Sequence, residues 1–190
     1  MSLAGVRSNR GDSYQTSVAF DWALNILSND KYQWLEIDST SSDASESPIS
    51  VDDVVIGLTD GSMICCQCKK NQNDFKPWSV ADLGNELVKT ARFMADNPKS
   101  QVIFYTRGSF GALAKLREYL ATQPDDVAYQ TSLTKDHQKT DTALARLITG
   151  IPGISTYELL RRTTFEISPE IERMQEFLIE RLDRLISNAE

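Results

Sequence analysis

Two acids and a Gln-x-Lys sequence flank one predicted turn and interrupt sequence that otherwise favours β-strands. Asp52 and Asp53 precede an apolar run, and Gln67 and Lys69 lie near the end of the run that returns after an Asp-Gly dipeptide at residues 60–61. Carboxylates, carboxamides and ammonium groups bind ions and polarise water, so these side chains together could carry hydrolytic chemistry. Charged strand ends that merely face water are the alternative interpretation.

The register of this predicted hairpin decides which acid faces the lysine. Alternate residues of a strand share a face, so Gln67 and Lys69 point the same way. A two-residue turn at the Asp-Gly dipeptide pairs Asp52 with Lys69. A three-residue loop with a bulge instead brings Asp53 opposite Gln67 or Lys69. Both registers stay open, and in either one an acid, an amide and a lysine converge at one end of the hairpin, where Glu36 on the preceding strand could join them.

Helices and further strands must hold the hairpin in place, and their order predicts the fold class. Asp12 or Ser13 caps a first helix with apolar residues at helical spacing up to Leu27. The order helix, strand, hairpin, helix, strand, helix predicts an α/β fold with a mixed β-sheet flanked by helices. The elements predicted after the first helix are a strand over 32–38, an exposed loop over 39–50, the hairpin over 51–70, a helix from Ser79 to Asn97, a buried strand over 101–106 and a helix over 110–122.

The last third of the sequence has a different character. A last helix is predicted from its serine cap, its proline in the first turn and its acid near the positive end of the helix dipole, all at residues 168–170. We expect one domain over residues 1–150 and a helical extension over 151–190 that leads to a C-terminal sensor or NTPase domain. The elements before this last helix are a polar, indistinct stretch over 125–142 and short helices over 143–148 and 156–162.

Composition places the chain among ordinary globular domains. Its 190 residues, 41% of them hydrophobic, suffice for one core. No apolar run is long enough to span a bilayer, and the polar start does not resemble a signal peptide. Cys65, Cys66 and Cys68 lie too close together for ordinary disulfide pairing, and without a second ligand cluster for zinc we expect them to be packed and reduced. These features predict a cytoplasmic protein.

Charge is distributed unevenly along the chain. The formal net charge of −7 by itself argues against a nucleic-acid partner. Residues 61–117 nevertheless carry nine Lys or Arg and four Asp or Glu, whereas residues 1–60 carry three and ten. Local positive charge governs contacts with phosphate, so the segment that begins at the second hairpin strand is compatible with DNA binding. A scattered, solvated surface is the alternative.

In chain order, the polar residues and their strands resemble the PD-(D/E)xK motif of restriction-endonuclease-like nucleases. Gln67 takes the place of the motif's second acid, and this Gln-x-Lys variant is typical of the Mrr-like branch. More narrowly, the chain is similar to the DUF4297-type nuclease domain at the N-terminus of bacterial anti-phage effectors, including CBASS endonuclease effectors and NTPase-linked defence proteins. The segments that carry the resemblance are residues 10–15, Glu36, residues 51–55, residues 67–69 and residues 102–106, with a further likeness over 157–166.

The resemblance implies a metal-dependent DNA endonuclease. Hydrolysis of a phosphodiester needs charge neutralisation on the phosphate, an activated water and a stabilised leaving oxygen. Lys69 would orient the attacking water or support the developing negative charge, and Gln15 on the first helix would contact a metal-bound water or a phosphate. The groups implied as ligands of Mg²⁺, or of Mn²⁺ in its place, are Asp53 or alternatively Asp52, Glu36, Gln67 and the backbone carbonyl of Cys68.

The resemblance also implies partners. They are double-stranded DNA as substrate, a C-terminal regulatory domain of the same protein, and further copies in a homo-oligomer that pairs two active sites on opposite strands. No membrane partner is expected. A second hypothesis is a catalytically degenerate nuclease fold kept as a protein-interaction or nucleic-acid-binding module, because the neutral Gln67 is a poorer Mg²⁺ ligand than a carboxylate. Glutamine is the usual residue in the branch that the chain resembles, which favours the enzyme.

Four residues near the hairpin have a structural interpretation that competes with a functional one. Trp78 is interpreted as a packing anchor rather than as a platform for base stacking. Arg107 follows a buried strand and could approach DNA, but a solvated loop arginine is the favoured interpretation. Lys76 is expected to be exposed, and Lys70 is left between exposure and a phosphate contact.

Overall fold

The protein has the α/β fold that its order of elements predicts. The computed structural model describes residues 3–37, 53–69 and 76–187, with side chains from Ser13 onward. Its five strands are β1 (Tyr32–Ile37), β2 (Val54–Leu58), β3 (Met63–Lys69), β4 (Gln101–Thr106) and β5 (Thr163–Ile167). They form one mixed sheet in the order β1-β2-β3-β4-β5. The first three strands are antiparallel, and β3, β4 and β5 run parallel to one another.

Helices cover both faces of this sheet. They are α1 (Leu3–Ser28), α2 (Gly84–Asp96), α3 (Gly111–Ala121), α4 (Asp126–Ser132), α5 (Lys135–Leu147), α6 (Thr156–Arg161) and α7 (Ile171–Ser187). On one face α1 packs Tyr14, Val18 and Trp22 against β2 and β3, next to α7. On the other face α2, α3, α5 and α6 cover Val55 and Phe104. Within the described ranges, no helix combines the length and apolar character needed to cross a bilayer.

The third parallel strand, β5, corrects the interpretation of the segment after residue 150. Residues 163–167 fall within the expected helical extension, yet they pair in parallel with β4. β-branched and aromatic side chains favour this strand, but a parallel edge strand has no adjacent tight turn to mark it in the sequence. Because Ile148, Ile151 and Tyr157 belong to the same core, the boundary expected at residue 150 falls inside one continuous packing unit.

The polar stretch after α3 is helical rather than indistinct, which is a second correction. The Asp125 carboxylate caps α4 and the Thr134 hydroxyl caps α5, each accepting a backbone N–H of the first turn. Tyr129 of α4 and Leu144 of α5 are fully buried, and the Tyr129 hydroxyl donates to the Asp141 carboxylate at 2.8 Å. With so few buried apolar residues in each helix, the apolar repeat that normally indicates a helix is too sparse to recognise.

The last helix, α7, packs against the first. Leu178 is buried between them, and the Arg181 guanidinium donates to the Asp21 carboxylate and to the Asn25 carboxamide, both at 2.7 Å. One side of the last helix therefore packs on α1 of the same chain. Further apolar side chains of this helix are about half exposed, namely Phe177, Ile179 and Ile186.

A buried arginine joins the starts of two parallel strands. Arg162, directly before β5, is only 8% exposed. Its guanidinium donates to the Ser100 carbonyl at 2.7 and 2.9 Å, to the Met94 carbonyl at 2.9 Å, and to the Asn97 carbonyl. Burial lowers the pKa of Arg162, and the three carbonyls replace the water that its charge has lost. The same contacts connect the end of α2 with the loop that leads into β4.

Candidate active site

The residues singled out in the sequence lie at the sheet edge where β2 begins and β3 ends. Asp53 directly precedes β2, and Gln67 and Lys69 lie at the C-terminal end of β3, away from the hairpin turn. We call Asp53, Gln67 and Lys69 the hairpin-end cluster. The carboxyl ends of β4 and β5 open at this same edge, because both strands run parallel to β3. Ligand sites of α/β folds form at such carboxyl edges.

The turn of the hairpin determines which acid belongs to the cluster. The Leu58 N–H donates to the Ser62 carbonyl at 2.9 Å, and the Gly61 N–H donates to the Leu58 carbonyl at 3.1 Å. The loop is therefore three residues long, 59–61. Gly61 has a φ of +79°, a left-handed conformation that glycine adopts without steric cost and that closes a loop of this type.

This register runs to the start of β2, where Val54 faces Cys66. The Asp53 N–H donates to the carbonyl of the same Cys66 at 3.1 Å, so Asp53 and Val54 share one partner residue, as in a β-bulge. Of the two registers that the sequence leaves open, the three-residue loop is confirmed. Asp52 and Lys70 lie outside the described residues.

Asp53 connects both strands of the hairpin with the first helix. Its Oδ2 atom accepts the Cys68 N–H at 2.5 Å, which fixes the carboxylate against the backbone of β3. Its backbone carbonyl accepts a hydrogen bond from Gln15 Nε2 at 2.8 Å. Gln15 comes from α1, so the structure brings this predicted site residue next to the hairpin-end cluster. Its role toward a phosphate or a metal-bound water stays a prediction.

Gln67 is the buried polar member of the cluster. The residue is 8% exposed, and its carboxamide makes no hydrogen bond to another described residue. A carboxamide can present its oxygen to a cation or its NH₂ group to an anion. The described part of the fold does not use this hydrogen-bonding capacity, which leaves it for a bound group.

Glu36 lies one strand away from the cluster. It pairs with Val55 of β2, two positions along the chain from Asp53. Within the described residues, no three His, Cys, Asp or Glu side chains come together as ligands of a metal ion. The predicted ligand set also includes the Gln67 carboxamide oxygen and the Cys68 backbone carbonyl oxygen, which are not side chains of these four types.

Lys69 is held by a residue that the sequence interpretation missed. Its Nζ atom donates to Glu86 Oε1 of α2 at 2.6 Å, and the two side chains are 18% and 29% exposed. Burial by itself raises the pKa of the Glu86 carboxyl, but the hydrogen bond from Lys69 and the nearby positive charge outweigh it and leave this pKa below its usual range. An acid near the start of a helix can be recognised in a sequence, because the helix dipole favours it there. Nothing in the sequence indicates that Glu86 pairs with Lys69.

The Cys68 thiol is expected to react slowly. Burial and, after it, the Asp53 carboxylate raise the pKa of this thiol, so little thiolate forms at pH 8. In the native protein, iodoacetamide should modify Cys68 at least about tenfold more slowly than in urea, because only the thiolate is nucleophilic. Peptide mass spectrometry over time measures both rates. Equal rates in the native and unfolded protein would contradict the prediction.

Two further residues at this edge are placed by the structure. Trp78 donates from Nε1 to the Thr106 hydroxyl at 3.2 Å and packs against the core, which confirms it as an anchor. Arg107 is not a solvated loop residue, because it forms an ion pair with Glu170 and about three quarters of its side chain is buried. Lys76 is exposed, as expected.

Comparison with protein-family models, with curated proteins and with solved structures finds no match to this chain. The nuclease resemblance therefore stays a prediction from the motif. The geometry contributes independent observations: the Asp53 carboxylate binds the Cys68 N–H, Gln15 bonds to the Asp53 carbonyl, and Glu86 holds Lys69.

Proposed function

We propose that the chain is a metal-dependent endonuclease domain that hydrolyses phosphodiester bonds of double-stranded DNA. The observation that supports it most is the hydrogen bond from the Cys68 N–H to the Asp53 carboxylate, which places this acid beside the backbone between Gln67 and Lys69. A chance arrangement of polar strand ends does not require a carboxamide that is only 8% exposed next to an acid and a lysine. The fixed position of Gln15 beside Asp53 adds a fourth polar group from a different element.

The donor set fits a hard divalent cation. Carboxylate, carboxamide and backbone carbonyl oxygens are ligands that Mg²⁺ accepts, and Asp53, Gln67, Glu36 and the Cys68 carbonyl would hold it. When bound, the ion would supply charge neutralisation and an activated water. Asp53 supplies fixed negative charge, and its bond to the Cys68 N–H keeps that charge oriented toward the cluster.

Lys69 and Gln15 would act on the substrate. The Lys69 ammonium carries the positive charge that developing negative charge on the phosphate needs, on the strand face shared with Gln67. Gln15, bonded to the Asp53 carbonyl, would position the phosphate or its water from the side of α1. The positive excess over residues 61–117 supports a polyanionic substrate.

We extend the proposal to the whole protein on the strength of the motif alone. The domain would serve as the cytoplasmic effector of a bacterial anti-phage defence protein, controlled by a C-terminal regulatory domain. Cutting both strands of a duplex would require two copies, so the active form would be a homo-oligomer. Three free cysteines within the described ranges are compatible with a reducing compartment.

Covalently closed circular duplex DNA tests the proposal, because it offers no ends to an exonuclease. With millimolar Mg²⁺ the purified protein is expected to convert it to nicked and linear forms, and EDTA is expected to stop the reaction. Gel electrophoresis follows the products. The protein should be assayed as the isolated domain and in its full-length context, since assembly could be needed for activity.

The competing function, a non-catalytic interaction module, predicts a different pattern. Calorimetry would then detect no binding of Mg²⁺ or Mn²⁺. In addition, Asp53→Ala and Lys69→Ala variants of the full-length protein would protect cells as well as the wild type does. These two results together would overturn the nuclease proposal.

A further inference from the structure

We propose that Glu86 is a positioning residue for Lys69, which it holds at the hairpin-end cluster and away from an ion pair with Asp53. This inference rests on the proposed nuclease function and adds a residue from α2 to the site. Glu86 lies seventeen positions after Lys69 in the chain, on a different element, and it belongs to no part of the Gln-x-Lys motif.

The contact is short and anchored on both sides. Lys69 Nζ lies 2.6 Å from Glu86 Oε1. Glu86 is in the first turn of α2, next to the fully buried Leu87, and Leu83 at the helix start is fully buried as well. The helix therefore presents the Glu86 carboxylate from a fixed backbone, while Lys69 extends from the end of a strand in the middle of the sheet.

This ion pair differs from the others in the described residues. Lys69 is the least exposed cation of the six pairs, with 18% of its side chain accessible. Exposed pairs such as Arg161 with Glu158 contribute little, because water screens them. A partly buried ammonium is costly to leave unpaired, so Lys69 needs a carboxylate partner at this place.

Two carboxylates compete for that ammonium. Asp53 binds the backbone N–H of Cys68, the residue next to Lys69, so its carboxylate belongs to the same part of the hairpin-end cluster. Pairing with Asp53 would neutralise the one carboxylate of the hairpin-end cluster, since Gln67 carries no charge. Glu86 binds the ammonium from α2 instead, and Asp53 keeps its bond to the Cys68 N–H.

The variant Glu86→Gln tests the positioning role. Glutamine has the same shape but no charge, so the fold should survive while Lys69 loses its ionic partner. We expect the Mg²⁺-dependent turnover number kcat to fall on the order of a hundredfold, the effect of a small misplacement of a reacting group, while KM changes little. Glu86→Asp, which keeps the charge, should recover part of kcat. A merely structural ion pair would not produce this split between kcat and KM.

A second measurement follows Lys69 without any DNA. An amine-reactive acetylating reagent and peptide mass spectrometry give the modification rate of each lysine. Glu86→Gln should raise the rate at Lys69 several-fold and leave Lys76, which is paired with Asp82 on the surface, unchanged. Glu158→Gln is the matched control, because it removes an equivalent carboxylate from an exposed pair on α6, at the opposite end of the parallel strands.

The outcomes separate this inference from the proposed function. If Glu86→Gln changed neither kcat nor the modification rate of Lys69, the positioning role would be overturned. Cleavage of DNA by the wild-type protein would still support the nuclease proposal in that case. If the wild-type protein in its full-length context cleaved no DNA and bound no metal, the nuclease proposal and the catalytic role of Glu86 would both fail. This would hold even if Glu86→Gln raised the modification rate of Lys69. Circular dichroism of each variant excludes unfolding as the cause.

Discussion

Substitution of Asp53 by asparagine is expected to reduce Mg²⁺-dependent DNA cleavage by about a hundredfold to a thousandfold, the size of effect that loss of one charge-stabilising group produces. Asparagine has the shape of aspartate, and its carbonyl oxygen can still accept the Cys68 N–H that Asp53 binds at 2.5 Å. It lacks the negative charge that a hard divalent cation requires. The bond to the Cys68 N–H places the Asp53 carboxylate beside the backbone between Gln67 and Lys69, so the effect should concentrate at this residue.

Asp60→Asn is the matched control for this variant. Asp60 lies at the opposite end of the same hairpin, where it accepts hydrogen bonds from the Ser62 N–H and hydroxyl. The same chemical change there should leave the cleavage rate unaltered. Initial rates on closed circular DNA compare the two variants with the wild type. A folded Asp53→Asn protein that cleaves at the wild-type rate would remove Asp53 from the site.

Substitution of Arg162 by methionine is expected to lower the free energy of unfolding by about 3–5 kcal/mol, because several carbonyls lose their donor and each unsatisfied acceptor costs roughly 1–3 kcal/mol. Methionine keeps much of the apolar stem but donates no hydrogen bonds. The carbonyls of Ser100, Met94 and Asn97 would lose their donor inside the protein, and burying unpaired carbonyls is costly. The variant should therefore loosen the start of β4 and β5 together.

Arg161→Met provides the comparison, because the neighbouring arginine is exposed and pairs only with Glu158. Its loss should cost less than about 1 kcal/mol, as for other exposed ion pairs. Urea denaturation followed by circular dichroism gives both free energies. If the two arginine variants were equally stable, the carbonyl network of Arg162 would not contribute as its geometry indicates.

Local signals in the sequence account for the hairpin and for β4. The Asp-Gly dipeptide between two β-forming runs predicts the turn, and the apolar run over residues 101–106 predicts the buried strand with the observed bounds. The predicted first helix is also present, but it begins at Leu3, so the expected cap at Asp12 or Ser13 is wrong. The helix expected from Ser79 begins later, at Gly84, because Ser79 and Asp82 bond to each other in a separate turn.

The remaining features depend on how distant segments meet. The bond between Lys69 and Glu86 requires α2 to dock on the sheet, and no spacing rule connects two residues on different elements. Arg162 reaches carbonyls more than sixty positions earlier in the chain, which only the parallel arrangement of β4 and β5 explains. The choice between Asp52 and Asp53 depends on whether the loop has two or three residues, and the Asp-Gly dipeptide is compatible with both lengths.

The order in which a ribosome makes the chain gives the hairpin-end cluster a further property. Gln15 is synthesised first, Asp53 and Lys69 follow, Glu86 comes later, and β5 closes the sheet only when residue 167 has emerged. Domains generally fold as units during synthesis, so the complete site would exist only in a nearly finished domain. A DNA-cutting activity assembled in this way would be silent in truncated translation products, which would protect the cell that makes it.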